Sequence, residues 1–397
     1  MTALALTAFT ATSAIGRGVE ATLDALLAQR SGLAPCAFET VELDTCVGEV
    51  AGVDAAPLPR TLEAYECRNN RLALLGLRAD GFSEAVEAAA ARYGRARLGV
   101  WLGTSTSGIL ETELAYRRRD GATGALPADF NYRGAHNTYS LAAFVRAALA
   151  LEGPAVVISS ACSSSAKVFA SARRAIAARV VDAAVVGGVD SLCLTTLYGF
   201  HSLQLVARTP CRPFDAARDG ISIGEAAAFA LLEPAPSSLD AAAVLLLGSG
   251  ESSDAWHMSA PHPEGRGAQA AMSGALATAQ LTAADIDYLN FHGTGTAGND
   301  AAEAHAVAAV LGTAVPGSST KGATGHTLGA AGALEAVICA LALRHGLMPG
   351  GVNTRTVDPK LGVNYLRENR RAPLKHVMSN SFGFGGSNCS LIFGRAG

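Results

Sequence analysis

Short apolar runs alternate along this chain with longer alanine-rich stretches of helical period, and that alternation restricts it to an α/β architecture. The runs at 98–103 (LGVWLG), 155–160 (AVVISS), 183–189 (AAVVGGV), 226–232 (AAAFALL), 243–247 (AVLLL) and 287–291 (DYLNF) read as strands. Helices are expected over 140–151, 163–179, 266–280, 299–311 and 328–345. Several of the strands are apolar throughout, which predicts a sheet covered on both faces. The first residues, MTALALTAFTATSAIG, lack a basic segment ahead of their apolar stretch and read as a first strand and loop rather than a signal peptide. Near the other end, HVMSNSF and CSLIF flank GFGGSN as the arms of a hairpin.

At 397 residues the chain exceeds one simple core, so two similar halves are expected, 1–235 and 241–397, joined at PAPSSLD (234–240). A faint internal echo crosses that linker: SSACSSSAKVFASARRAI and STKGATGHTLGAAGALEAVICALAL each turn from a strand through small residues into a helix. A hydrophobic fraction of 49% with 16% charged residues implies extensive burial, a subunit interface included. The net charge of −3 argues against a nucleic-acid binder. No uninterrupted apolar stretch has the length of a membrane span. Eight cysteines are scattered without a CxxC pair, which fits reduced thiols in a cytoplasmic protein better than disulfides or a zinc site.

Cys162 stands at a corner between an expected strand and an expected helix. Unpaired N–H groups at a helix start favour a thiolate, the reactive form, so Cys162 is the candidate nucleophile. Two glycine-rich segments, FHGTGTAGND and KGATGHTLGAAG, supply His292 and His326, and glycine lets backbone approach a ligand closely. One Cys and two His in such turns point to acyl-thioester chemistry. Only four of the 31 basic residues are lysines, so Lys321 inside a glycine-rich motif stands out. Thr294 and Thr296 place hydroxyls at alternate positions of an extended segment. Asn299, Asp300 and Glu303 read as a helix cap and first-turn acids. Phe384 lies between two glycines. The run Arg117, Arg118 and Arg119 is the candidate contact for an acidic partner.

Five motifs, SSACSSS, RPFDAARDG with GEAAAF, HGTGTAGND, KGATGHTLGAAG and NSFGFGGSN, stand in the order and spacing of the elongating β-ketoacyl-acyl carrier protein synthases. From about residue 3 to 395 the chain resembles that family. The resemblance implies a thiolase-like fold, five-layered αβαβα, with two pseudo-symmetric halves. It implies decarboxylative Claisen condensation of an acyl group on Cys162 with malonyl-acyl carrier protein, in fatty-acid, polyene or polyketide elongation. Substrates would arrive on the phosphopantetheine of the acyl carrier protein, with no tightly bound cofactor and no metal. The partner would be a second copy or a chain-length-factor-like subunit.

By the same resemblance, the N–H groups of Cys162 and Phe384 would form an oxyanion hole, and His292 and His326 would donate to the malonyl thioester carbonyl. Lys321 and Glu335 would form a buried ion pair, Thr294 and Thr296 would hold the pantetheine arm, and Phe384 would gate the acyl pocket. GEAA stands for the commoner GEGA and GGSN for GGTN. The triple serine after Cys162 is more polar than usual and points to a specialised substrate. A thiolase would need a second reactive cysteine near the C-terminus, and Cys389 falls instead in the strand-like SNCSLIF. A non-catalytic partner subunit would lack the nucleophile.

Overall fold

The computed structural model describes residues 3–55, 57–236 and 240–396, so positions 237–239 of the expected linker lie outside the described residues. Ten strands carry the architecture: β1 (Leu4–Ser13), β2 (Leu98–Gly103), β3 (Ala155–Ile158), β4 (Ala183–Asp190), β5 (Ala226–Pro234), β6 (Val244–Ser253), β7 (Tyr288–Asn290), β8 (Pro316–Ser318), β9 (His376–Gly383) and β10 (Ser387–Arg395). They lie side by side in the order β8-β7-β9-β10-β6-β1-β5-β4-β2-β3. The order repeats itself. β3, β2 and β4 run parallel, followed by antiparallel β5 and β1. β8, β7 and β9 run parallel, followed by antiparallel β10 and β6. The two sets join where Leu4–Leu6 of β1 meets Val244–Leu246 of β6.

Seven helices complete the layers: α1 (Arg68–Leu77), α2 (Phe82–Tyr93), α3 (Tyr139–Ala148), α4 (Ser164–Ala177), α5 (Arg266–Ala279), α6 (Ala297–Val310) and α7 (Ala331–His345). Helices α1, α2 and α3 cover the outer face of the first five strands, and α5, with α6 against it, covers the outer face of the second five. Between the two sets lie α4 and α7, each touching strands of both. The result is the αβαβα sandwich of a thiolase-like fold.

α7 is apolar all round and buried from Ala331 to Leu343, as a helix enclosed on both faces must be. The stretch Leu328–His345 is long and apolar enough to cross a membrane by length and composition, yet it is 89% buried inside the protein. Glu335 is its one internal charge. Where α4 and α7 cross, a side chain on Gly332 would sit 2.6–2.9 Å from the backbone and Cβ of Ala166, so the two backbones are in direct contact.

The elements differ from their sequence reading in definite ways. β6 runs on through GSGESS, a stretch without strand propensity, because β10 pairs with it along its whole length. β3 ends at Ile158, and its last expected residues belong to the turn before Cys162. The helix expected from 299 begins at Ala297, and its cap is Thr296, whose Oγ1 accepts from the Asn299 N–H at 3.3 Å.

Candidate active site

The turn that carries Cys162 leaves β3 and enters α4, with Ala161 held at a φ of 51°, an unusual conformation for a residue with a side chain. The serines around the cysteine hold this corner together. Ser163 Oγ donates to the Ser160 carbonyl at 2.9 Å, Ser164 Oγ donates to the Ala161 carbonyl at 2.5 Å and accepts from the Ser160 N–H at 2.9 Å. Ser165 Oγ accepts from the Ala333 N–H of α7 at 2.9 Å. All three hydroxyls of the triple serine are therefore committed to backbone, and none lines the cavity at Cys162. They brace the turn.

Cys162 is 5% exposed. Its Sγ lies 3.1 Å from His326 Nε2, and the N–H groups of Phe384 and of Cys162 itself point at the sulfur. Burial pushes the thiol up to about 12, against the charge of Lys321 and those two N–H groups, which pull it down. This overturns the expected standing thiolate. α4 starts two residues beyond the cysteine, and desolvation outweighs the helix terminus.

Lys321, in the short helix Lys321–Thr324, is buried and pairs with Glu335 of α7. Its Nζ also donates to the His292 carbonyl at 2.6 Å and stands 3.5 Å from His292 Nδ1. The rings of His292 and His326 meet edge to face, with centroids 5.3 Å apart. Burial, then the Lys321 charge, holds both imidazoles well below their ordinary range, so both are neutral.

Three acids that sequence reading passed over or gave only to helix structure shape the loops. Glu303 accepts from the N–H groups of His292 and Gly293, both at 2.8 Å, and from Asn380 Nδ2 at 3.1 Å. Burial pushes its carboxyl up to about 7 in spite of these donors. Asp300 accepts from the N–H groups of Thr294, Gly295 and Phe214. Asp190, at the end of β4, accepts from the N–H groups of Ser105, Thr106 and Gly329, and so ties the loop after β2 to the segment that follows His326. Only Asp300 and Glu303 had a local signal, their place on a helix; their reach back to the preceding loop is tertiary.

A cavity of about 370 Å³ runs from exposed Gln204 and Gly298 down to buried Cys162, His292 and His326. Thr294 and Thr296 line it, with their hydroxyls 3.0 Å apart. Phe384 lines it too, in the turn between β9 and β10, its ring 5.4 Å from that of Phe200. Gly385 and Gly386, at φ of 78° and 73°, give this turn a shape that side chains resist. Cys193, Cys211 and Cys389 are buried and do not line the cavity, and neither does Arg117, Arg118 or Arg119. Arg118 is paired with Asp129 and Arg117 donates to Thr40.

The family model described as beta-ketoacyl synthase, N-terminal domain, matches residues 1–237, and that for the C-terminal domain matches residues 243–355. The chain belongs to the β-ketoacyl synthase family. Nodulation protein E of Rhizobium meliloti is 37% identical over 306 residues, 75% of each chain. A 3-oxoacyl-[acyl-carrier-protein] synthase 2 of Rhizobium meliloti is 38% identical over 260 residues, 62% of each. Among solved structures, the ketosynthase ApeO from Xenorhabdus doucetiae, in complex with its chain length factor ApeC, is 40% identical with a TM-score of 0.89, over 100% of this chain and 98% of that one. Membership of this family makes the chain an acyltransferase-type enzyme.

Proposed function

We propose that the chain elongates acyl groups by decarboxylative Claisen condensation, joining an acyl group held on Cys162 to the two carbons left when malonyl-acyl carrier protein loses carbon dioxide. The supporting observation is convergence at the end of one cavity: a thiol, two neutral imidazoles and two backbone N–H groups.

In the first half-reaction Sγ attacks the acyl thioester carbon. His326 Nε2 takes the thiol proton and passes it to the departing pantetheine sulfur, while the N–H groups of Cys162 and Phe384 hold the oxyanion. A thiol titrating near 12 needs its proton removed during the attack, which a base at 3.1 Å supplies. In the second half-reaction the two imidazoles donate to the malonyl thioester oxygen and stabilise the enolate as carbon dioxide leaves. That carbanion attacks the acyl thioester carbon, the bond to Cys162 Sγ breaks, and the departing thiolate takes up a proton from water by way of His326 Nε2.

The two histidines are set differently for this work. The Lys321 ammonium beside Nδ1 of His292 makes that nitrogen an acceptor and keeps the hydrogen on Nε2. His326 Nδ1 has no partner among the described residues, so its ring can present Nε2 as acceptor in one step and donor in the other. Thr294 and Thr296 offer hydroxyls to the pantetheine amides, and Phe384 acts as the gate. The route needs no tightly bound cofactor, only phosphopantetheine on the carrier protein.

The chain works as a dimer in the cytoplasm. A chain-length-factor-like partner is favoured over a second copy by the whole-length likeness to a ketosynthase solved with such a subunit. The division into halves at 1–235 and 241–397 is supported by the repeated strand order.

Mass spectrometry after incubation with an octanoyl-loaded carrier protein tests the scheme. Octanoyl should appear on Cys162 and be absent from Cys162→Ala. His292→Ala should still acylate, yet lose malonyl decarboxylation by about 10²–10³. Acylation of Cys162→Ala at another residue, or wild-type decarboxylation by His292→Ala, would overturn it.

A further inference from the structure

A second cavity, also of about 370 Å³, lies at the far end of α4 and shares no lining residue with the one at Cys162. Arg173 lines it, roughly 14 Å along the helix from Ser164 at the start of α4. The acids nearby already have cations of their own. Asp182, in the lining, accepts from Arg97 at 2.8 and 2.9 Å. Glu233, next to the lining residue Pro234, pairs with Arg92. Arg174, next on the helix, pairs with Glu251. Arg173 is 9% exposed, and its guanidinium has neither a hydrogen bond nor an ion pair among the described residues. Burial holds it below its ordinary range, and no carboxylate offsets this. The carbonyl dipoles at the end of α4 favour a cation here but carry no formal charge. A buried cation without a counter-ion is costly, and this one borders a space of the size that small ligands fill.

We propose that this cavity binds a carboxylate bearing a short apolar chain, with both carboxylate oxygens on the Arg173 guanidinium and the chain against Leu4, Ile176 and Val181. One buried free cation balances one negative charge, and the planar guanidinium fork matches two carboxylate oxygens. A phosphate dianion would need a second buried cation, whereas Arg179, the other arginine of the lining, is exposed. Leu4 and Val181 are buried and Ile176 is half-buried, so a chain seated on them leaves water as its head is paired. The site stands apart from the condensing reading, since it uses none of the residues at Cys162.

Calorimetric titration of the full chain with hexanoate tests the site. Arg173→Met removes the charge at similar length. Ala177→Glu, at an exposed position of the lining, gives the cavity a carboxylate of the protein's own. Each should weaken hexanoate binding roughly tenfold or more, the contribution of one charge-assisted pair. Hexanoate entering the cavity at Cys162 would bind all three proteins alike, so the difference between them is what counts. Melting temperatures check the folding of both variants, and if Arg173→Met folds poorly, Ala177→Glu decides alone. Identical titrations of variant and wild type, or no saturable binding to wild type, overturns the proposal. Inorganic phosphate binding as tightly as hexanoate overturns the choice of a carboxylate with an apolar chain.

Discussion

Glu303 shows how much one residue can hold in place. Both of its oxygens accept from loop N–H groups beside His292, and a protonated carboxyl could satisfy only one of them as acceptor while its own O–H sought another partner. Its titration near 7 should therefore appear in catalysis. Condensation is expected to fall as the pH drops through about 7, because the loop loses an anchor on protonation. The imidazoles, held far lower, stay neutral across that window. In Glu303→Gln the amide turns a donor toward one loop N–H, which should slow the reaction roughly tenfold and abolish the acid limb. A pH–rate profile of both proteins decides it, and an unchanged limb in the variant would assign it elsewhere. At this scale the sequence was legible wherever a residue type announced its chemistry in a local motif, as Cys162, His292, His326 and Lys321 do. It was silent on Asp190, since a strand-end aspartate has no local signal for the loops it ties. It misled on the thiolate, because burial at Cys162 depends on residues far away in the chain.

Among the elements, the turn between β9 and β10 makes the sharpest prediction. Phe384 is half-buried, and its recorded ring contact is with Phe200, so removing it should disturb the core little. If the ring must move before malonyl-carrier protein can react, Phe384→Ala should keep acyl transfer to Cys162 while condensation changes and the order of substrates relaxes. A packed core phenylalanine would instead cost about 3–5 kcal/mol, and both half-reactions would fall with the folded fraction. Melting temperature measured beside the two half-reactions separates these outcomes. The elements themselves were legible in proportion to how local their causes are. LGVWLG forms β2 over the expected residues, and the hairpin around GFGGSN was readable from its turn. The second half of β6 was not, because glycine and serine become strand there only through pairing with β10.

For the molecule as a whole, the crossing of α4 and α7 is where the two sets of strands are welded, and Cys162 and His326 lie just ahead of those two helices. Gly332→Ala would force the backbones apart and should cost about 1–3 kcal/mol, with acylation of Cys162 slowed in the protein that remains folded. Gly121→Ala, where an added methyl group meets open space, should do neither. Chemical denaturation paired with acylation rates tests the contrast, and equal behaviour of the two variants would deny the crossing its role. The repeated halves were foreshadowed by the echo of the two motifs, while the way they share a central helical layer was not, since no local pattern records a long-range join. That join has a consequence in time. β1 leaves the ribosome well ahead of its partners β5 and β6, which begin at Ala226 and Val244. At roughly 5–20 residues per second, ten seconds or more pass while an apolar strand waits with both edges open, so this chain depends during its synthesis on whatever shelters nascent segments from one another.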